Sequence, residues 1–123
     1  MATILIIDDD EQILKVCRTL LEREGFTVVE SQEGSQGIEI CRRRSIDLVI
    51  TDIIMPGKEG LETIMELRNE FPALPIVAMS GGGQLGPESY LPLARMLGAQ
   101  QALRKPFTKN ELMESISGLI GSN

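Results

Sequence analysis

Four polar sites in this 123-residue chain stand at the ends of short apolar runs. Asp8 and Asp9 follow Ile4-Leu5-Ile6-Ile7, and Asp52 follows Leu48-Val49-Ile50-Thr51. Ser80 follows Ile76-Val77-Ala78-Met79, and Lys105 comes just after Ala102-Leu103. If these runs are neighbouring parallel strands, the four sites share the sheet edge where open α/β folds hold their ligands. Unit charges about 4 Å apart repel by roughly 4 kcal/mol at an effective dielectric of 20. Clustered carboxylates therefore either take up protons or bind a cation. Oxygen-only ligands favour magnesium or a similar divalent ion such as manganese. An aspartate can attack phosphorus and form an acyl phosphate. A metal, a lysine ammonium and hydroxyl or backbone donors would then offset charge on the phosphoryl oxygens.

The elements that must position these groups read as alternating strands and helices. Strands are expected at 3–7, 26–30, 47–51, 75–79 and 101–104. Helices are expected at 11–24, 35–44, 60–70, near 88–97, and 108–120. Pro92 would remove an N–H from the fourth helix, which places its start late, near Leu91. This βα alternation implies an α/β, doubly wound, five-stranded parallel sheet with five helices, in the flavodoxin-like order 2-1-3-4-5. Strands one and three are then adjacent, which brings Asp8 and Asp9 beside Asp52. The run Asp8 to Glu11 also suits a helix N-terminus, and Asp10 is read as the cap of the first helix. In that helix Ile13, Val16, Cys17 and Leu20 are expected to face the sheet. Leu14, Arg18 and Leu21 fall on a neighbouring stripe, either a widened core face or a docking surface.

Composition sets further limits. Hydrophobic residues make up 42% and charged residues 24%, ordinary for a single globular domain spanning 1–123. A net charge of −6 argues against a nucleic-acid surface. Arg42-Arg43-Arg44, the one basic cluster, suits the last turn of a helix. No apolar stretch approaches a membrane span, and the N-terminus lacks signal-peptide features, so a cytoplasmic location is expected. Cys17 and Cys41 lack metal-ligand spacing and the chain has no histidine, which argues against a zinc site and excludes a phosphohistidine on this chain.

The motifs IIDDD at 6–10, TDIIMPGKEG at 51–60, AMSG at 78–81 and KPF at 105–107 resemble, as an ordered set, the receiver domain of bacterial two-component response regulators. The resemblance covers nearly the whole chain. It implies that Asp52 is the phosphoacceptor and that Asp8, Asp9, Asp52 and the backbone carbonyl of Ile54 hold Mg2+ (or Mn2+). Ser80 and Lys105 would contact the phosphoryl group, and the Lys105–Pro106 peptide would be cis. The implied donor is a histidine kinase or histidine phosphotransfer domain, docking at the first helix and the Pro106-Phe107 loop, with Leu14, Arg18 and Phe107 as candidates. Such a domain switches an unidentified downstream protein target, binds no nucleic acid directly, and catalyses only its own phosphorylation and dephosphorylation. It would act as a stand-alone regulator or as part of a larger one; the last helix runs almost to Asn123, with no output domain following.

Three features depart from the family pattern, one of them Pro92 inside the fourth helix. Ala102 stands where an aromatic switch residue is normally found, three positions before Lys105. The segment after Ser80, Gly81-Gly82-Gly83-Gln84-Leu85-Gly86-Pro87, is long and glycine-rich, so switching is expected to rely on ordering of this loop and movement of the fourth helix. Ile54 and Gly82 offer no polar side chain to orient attacking water, which predicts slow self-dephosphorylation; a phosphoryl half-life of seconds would contradict it.

A small phosphatase of the haloacid dehalogenase type is the rival reading, because Asp8-x-Asp10, Ser80 and Lys105 imitate its first motifs. It also needs a late acidic pair after a strand, and residues 106–123 offer only Glu111 and Glu114 on an expected helix. A flavodoxin would place hydroxyl and glycine residues after the first strand, where this chain has three aspartates that would repel FMN phosphate.

Overall fold

The protein is described by a computed structural model covering residues 2–53, 60–81 and 91–120. The elements in chain order are β1 (Thr3–Ile7), α1 (Glu11–Arg23), β2 (Thr27–Ser31), α2 (Gly34–Arg43) and β3 (Leu48–Asp52). They continue with α3 (Gly60–Glu70), β4 (Ile76–Ser80), α4 (Leu91–Leu97), β5 (Gln101–Arg104) and α5 (Lys109–Ile120). The five strands form one sheet in the order β2-β1-β3-β4-β5, and every neighbouring pair is parallel. The expected fold class and strand order are both found.

Because side chains alternate across a strand, one sequence run feeds two cores. Ile4, Ile6, Leu48, Ile50, Val77 and Met79 meet Leu14, Cys17 and Leu21 of α1 and Leu112 and Ile116 of α5 on one face. Leu5, Ile7, Val49, Ile76 and Ala78 meet Ile38 of α2, Ile64 and Leu67 of α3, and Ala94 of α4 on the other.

Strands β2, β3 and β4 each sit one residue further along than expected. The ladder continues past the apolar residues, with the Ile53 N–H donating to the Met79 carbonyl at 3.0 Å and the Lys105 N–H to the Ser80 carbonyl at 2.8 Å. Asp52 and Ser80 are thus the last residues of buried strands rather than the first of loops.

The cap on α1 is as read, with Asp10 Oδ1 accepting from the Gln12 N–H at 2.9 Å. At the other end Gly25 adopts φ 93°, a left-handed geometry suited to glycine. An unexpected capping box starts α5: the Thr108 N–H donates to Glu111 Oε1 at 2.9 Å, and the Glu111 N–H to Thr108 Oγ1 at 3.1 Å. Arg42 and Arg43 do lie in the last turn of α2. Arg42 pairs with Glu39 of its own helix and with Glu70 at the end of α3, and Arg43 pairs with Glu39. The described part of α4 has Pro92 in its first turn, where a missing N–H is tolerated.

The inner face of α1 needs correction. Leu14 is only 4% exposed and packs with Cys17 and Leu21, whereas Val16 is 48% exposed. Ile13 and Leu20 flank that stripe as partly buried residues. The helix is therefore rotated from the expected setting, and Leu14 belongs to the core rather than to a docking surface.

Candidate functional site

The strand ends bring the sequence-selected groups together. Asp8 directly follows β1, is fully buried, and donates its N–H to the Ser31 carbonyl at 3.0 Å. Asp52 ends β3 with 5% exposure, Ser80 ends β4 fully buried, and Asp9 lies exposed at the rim. Lys105 follows β5, and its Nζ lies 2.6 Å from Asp8 Oδ2 and 3.4 Å from Asp52 Oδ1. The other Asp8 oxygen accepts from the Asp10 N–H at 2.9 Å. The Lys105–Pro106 peptide is cis.

Carboxylate oxygens of Asp8, Asp9 and Asp52 all lie within 4.8 Å of one another. Among the described residues, one ammonium, that of Lys105, pairs with these acids, so their ionised forms carry excess negative charge. Burial pushes the Asp52 carboxyl from 3.8 up to about 6; Lys105 opposes this, while Asp8 and Asp9 reinforce it. Burial likewise raises the Asp8 carboxyl, against its bonds to Lys105 and to the Asp10 N–H. Burial works to lower the Lys105 pKa, but the hydrogen bond to Asp8 and the Asp52 charge raise it overall, so the side chain stays cationic. Among the described residues, Ser80 Oγ is the single buried side-chain oxygen or nitrogen atom without a hydrogen-bond partner. A buried hydroxyl is seldom left so, because desolvation without a partner costs about 1–3 kcal/mol. An oxyanion ligand beside the lysine would satisfy it. Three convergent carboxylate oxygens are also the hard donor set that magnesium or manganese takes.

Other candidates fare differently. Ile54 and Gly82, with the segment from 82 to 90, lie outside the described residues. Arg18 is partly exposed but engaged, with Nε 2.7 Å from Glu30 on β2 and Nη1 3.0 Å from Glu22. Phe107 is partly buried against the α1–α5 core. Ala102 lines an open cavity of about 430 Å3 between β5 and α5, together with Arg104, Glu111 and Glu114. Cys17 and Cys41 are buried free thiols, pushed up by burial to about 12 and about 11 respectively, which makes both poor nucleophiles. Sequence reasoning passed over Gly81 as a support for the site. A methyl group there would stand 3.1 Å from Lys105 Cδ, so the missing side chain leaves room for the lysine stem.

The family model described as response regulator receiver domain matches residues 4–117. The chain belongs to the response regulator receiver family. The response regulator GtcR of Aneurinibacillus migulanus is 35% identical over 96% of this chain and 47% of its own length. The chain thus spans about half the length of the curated relatives it matches. Among solved structures, a receiver domain protein from Clostridium thermocellum superposes with TM-score 0.88 at 34% identity, covering 98% of this chain and 94% of that one. TrrA from Thermotoga maritima, solved in complex with Mg2+ and BeF, superposes with TM-score 0.86 at 28% identity, covering 98% of this chain and 100% of its own. Nothing among these matches supports the phosphatase reading, and Glu111 and Glu114 lie on α5. Among the described residues, no helix is long and apolar enough to cross a membrane.

Proposed function

We propose that this receiver domain accepts a phosphoryl group on Asp52 from the phosphohistidine of a kinase or phosphotransfer domain, and that the modified domain engages a different protein partner. One observation carries the proposal: three carboxylates converge beside a lysine paired to two of them, with a buried hydroxyl at the end of the next strand that has no partner among the described residues. An Asp52 carboxylate oxygen forms the new bond to phosphorus as the phosphorus–nitrogen bond to imidazole breaks, and the leaving nitrogen keeps the electron pair and takes up a proton. Asp52 must be ionised to attack, and Lys105 favours that form. Lys105 then moves from pairing carboxylates to pairing phosphoryl oxygens, and Ser80 donates its hydroxyl proton to one of them. Asp8 and Asp9, with Asp52, would hold Mg2+ or Mn2+, and the bound ion would supply positive charge against the phosphoryl oxygens. The Mg2+ and BeF complex of TrrA supports this assignment by similarity. The Ile54 carbonyl is proposed as a further ligand on family resemblance alone.

The reading makes this chain a stoichiometric acceptor rather than a turnover enzyme. Incubation with magnesium and a small acyl phosphate is expected to give about one hydroxylamine-labile phosphate per chain. Steady phosphate release over many equivalents, with no stable adduct, would instead favour a phosphatase.

A further inference from the structure

The start of α3 touches the backbone that carries Asp52. Gly60, the first residue of that helix, is buried. A methyl group there would overlap the Asp52 carbonyl oxygen and the Ile53 Cα, and would stand 2.7 Å from the Ile53 carbonyl carbon. All three are backbone atoms, so no rotamer change relieves the overlap.

Neither partner in this contact is free to retreat. The Ile53 N–H is bonded to Met79 of β4 at 3.0 Å, and the Asp52 carbonyl accepts from Thr51 Oγ1 at 3.1 Å. On the helix side, Thr63, Ile64 and Leu67 are fully buried and fix α3 against the rest of the fold. A side chain at position 60 must therefore either lift the helix start or push the end of β3, and Asp52 is the residue that ends it.

We infer that Gly60 is a positioning residue for Asp52: its missing side chain lets α3 clamp the Asp52–Ile53 peptide, and this fixes the carboxylate among Asp8, Asp9 and Lys105. The inference rests on the phosphoacceptor reading and adds a residue that touches neither phosphoryl group nor metal. Misplacement of about 1 Å is enough to slow a positioned reaction by one to two orders of magnitude.

The test compares wild type, Gly60→Ala and Gly25→Ala. Gly25 follows α1 and has φ 93°, so its substitution strains the backbone at a place that does not touch α3. Magnesium affinity by titration calorimetry, maximal labelling rate and half-saturating concentration of a small acyl phosphate, and the thermal midpoint are measured for each. Gly60→Ala is expected to weaken magnesium binding and slow maximal labelling by at least about tenfold. Gly25→Ala should lower the midpoint and leave both site readouts at wild-type values. A Gly60→Ala protein that changes only its midpoint would overturn the inference. If Gly60→Ala does not fold, Leu67→Ala, which loosens the buried seat of α3 without adding an atom beside Asp52, is measured in its place; it should show the same two losses, and wild-type labelling and magnesium affinity there also overturn the inference. A wild type that neither binds magnesium nor becomes labelled would remove the phosphoacceptor reading, and the inference with it.

Discussion

Asp52 is held where its ionised form is disfavoured. Burial sets its folded pKa at about 6 against 3.8 in an unfolded chain, so the folded state holds the proton more tightly. By linkage, this group contributes stability below about pH 4 and loses it as pH rises through about 6. The shift corresponds to about 3 kcal/mol at most. Urea unfolding in the presence of a chelator should therefore show wild type losing stability relative to Asp52→Asn between pH 4 and 7. The variant should be the more stable of the two at pH 7.5, and equal pH profiles would contradict the buried-charge account. Much of this site was legible from residue types alone, because three acids, a serine and a lysine each end an apolar run. The direct pairing of Lys105 with Asp8 was not legible, since it joins residues 97 apart and depends on how far the lysine stem reaches across Gly81.

Among the elements, α1 shows where periodicity runs out. Ile13, Val16, Cys17 and Leu20 recur at helical spacing, and so do Leu14, Cys17 and Leu21, and every one of these side chains can be buried. The pattern therefore fits two rotations about the helix axis, and the sheet decides by taking the second triplet. Leu14→Ala should cost about 2–5 kcal/mol in denaturant unfolding, the usual range for a leucine cavity. Val16→Ala should change stability by no more than about 0.5 kcal/mol; the reverse ranking would restore the first rotation. The strands were easier to read because their runs are short, continuously apolar and closed by polar residues. Their exact ends were less so, since the backbone ladder continues past the apolar residues and takes in Asp52 and Ser80.

At the scale of the molecule, the proposed phosphorylation at one sheet edge would have to change a surface that another protein reads. Ala102 is too small to act as a rotating aromatic, and it lines an open cavity between β5 and α5. The expectation from sequence, a response through the glycine-rich segment after Ser80 and through α4, falls largely on residues 82–90, outside the described residues. Amide exchange over residues 81–95 should slow when a phosphoryl mimic is added with magnesium. Equal protection with and without the mimic would remove this route. The doubly wound architecture was legible in full from the alternation of runs, because a parallel sheet needs a crossover after every strand. What the domain controls was not legible, since an output surface is defined by a partner absent from the chain.

Of the three carboxylates, that of Asp52 is proposed to take the phosphoryl group. Wild type and Asp52→Ala, each incubated with magnesium and a small acyl phosphate, are compared by intact mass. Wild type is expected to carry a single phosphoryl adduct and the variant none. Equal labelling of both proteins would contradict it.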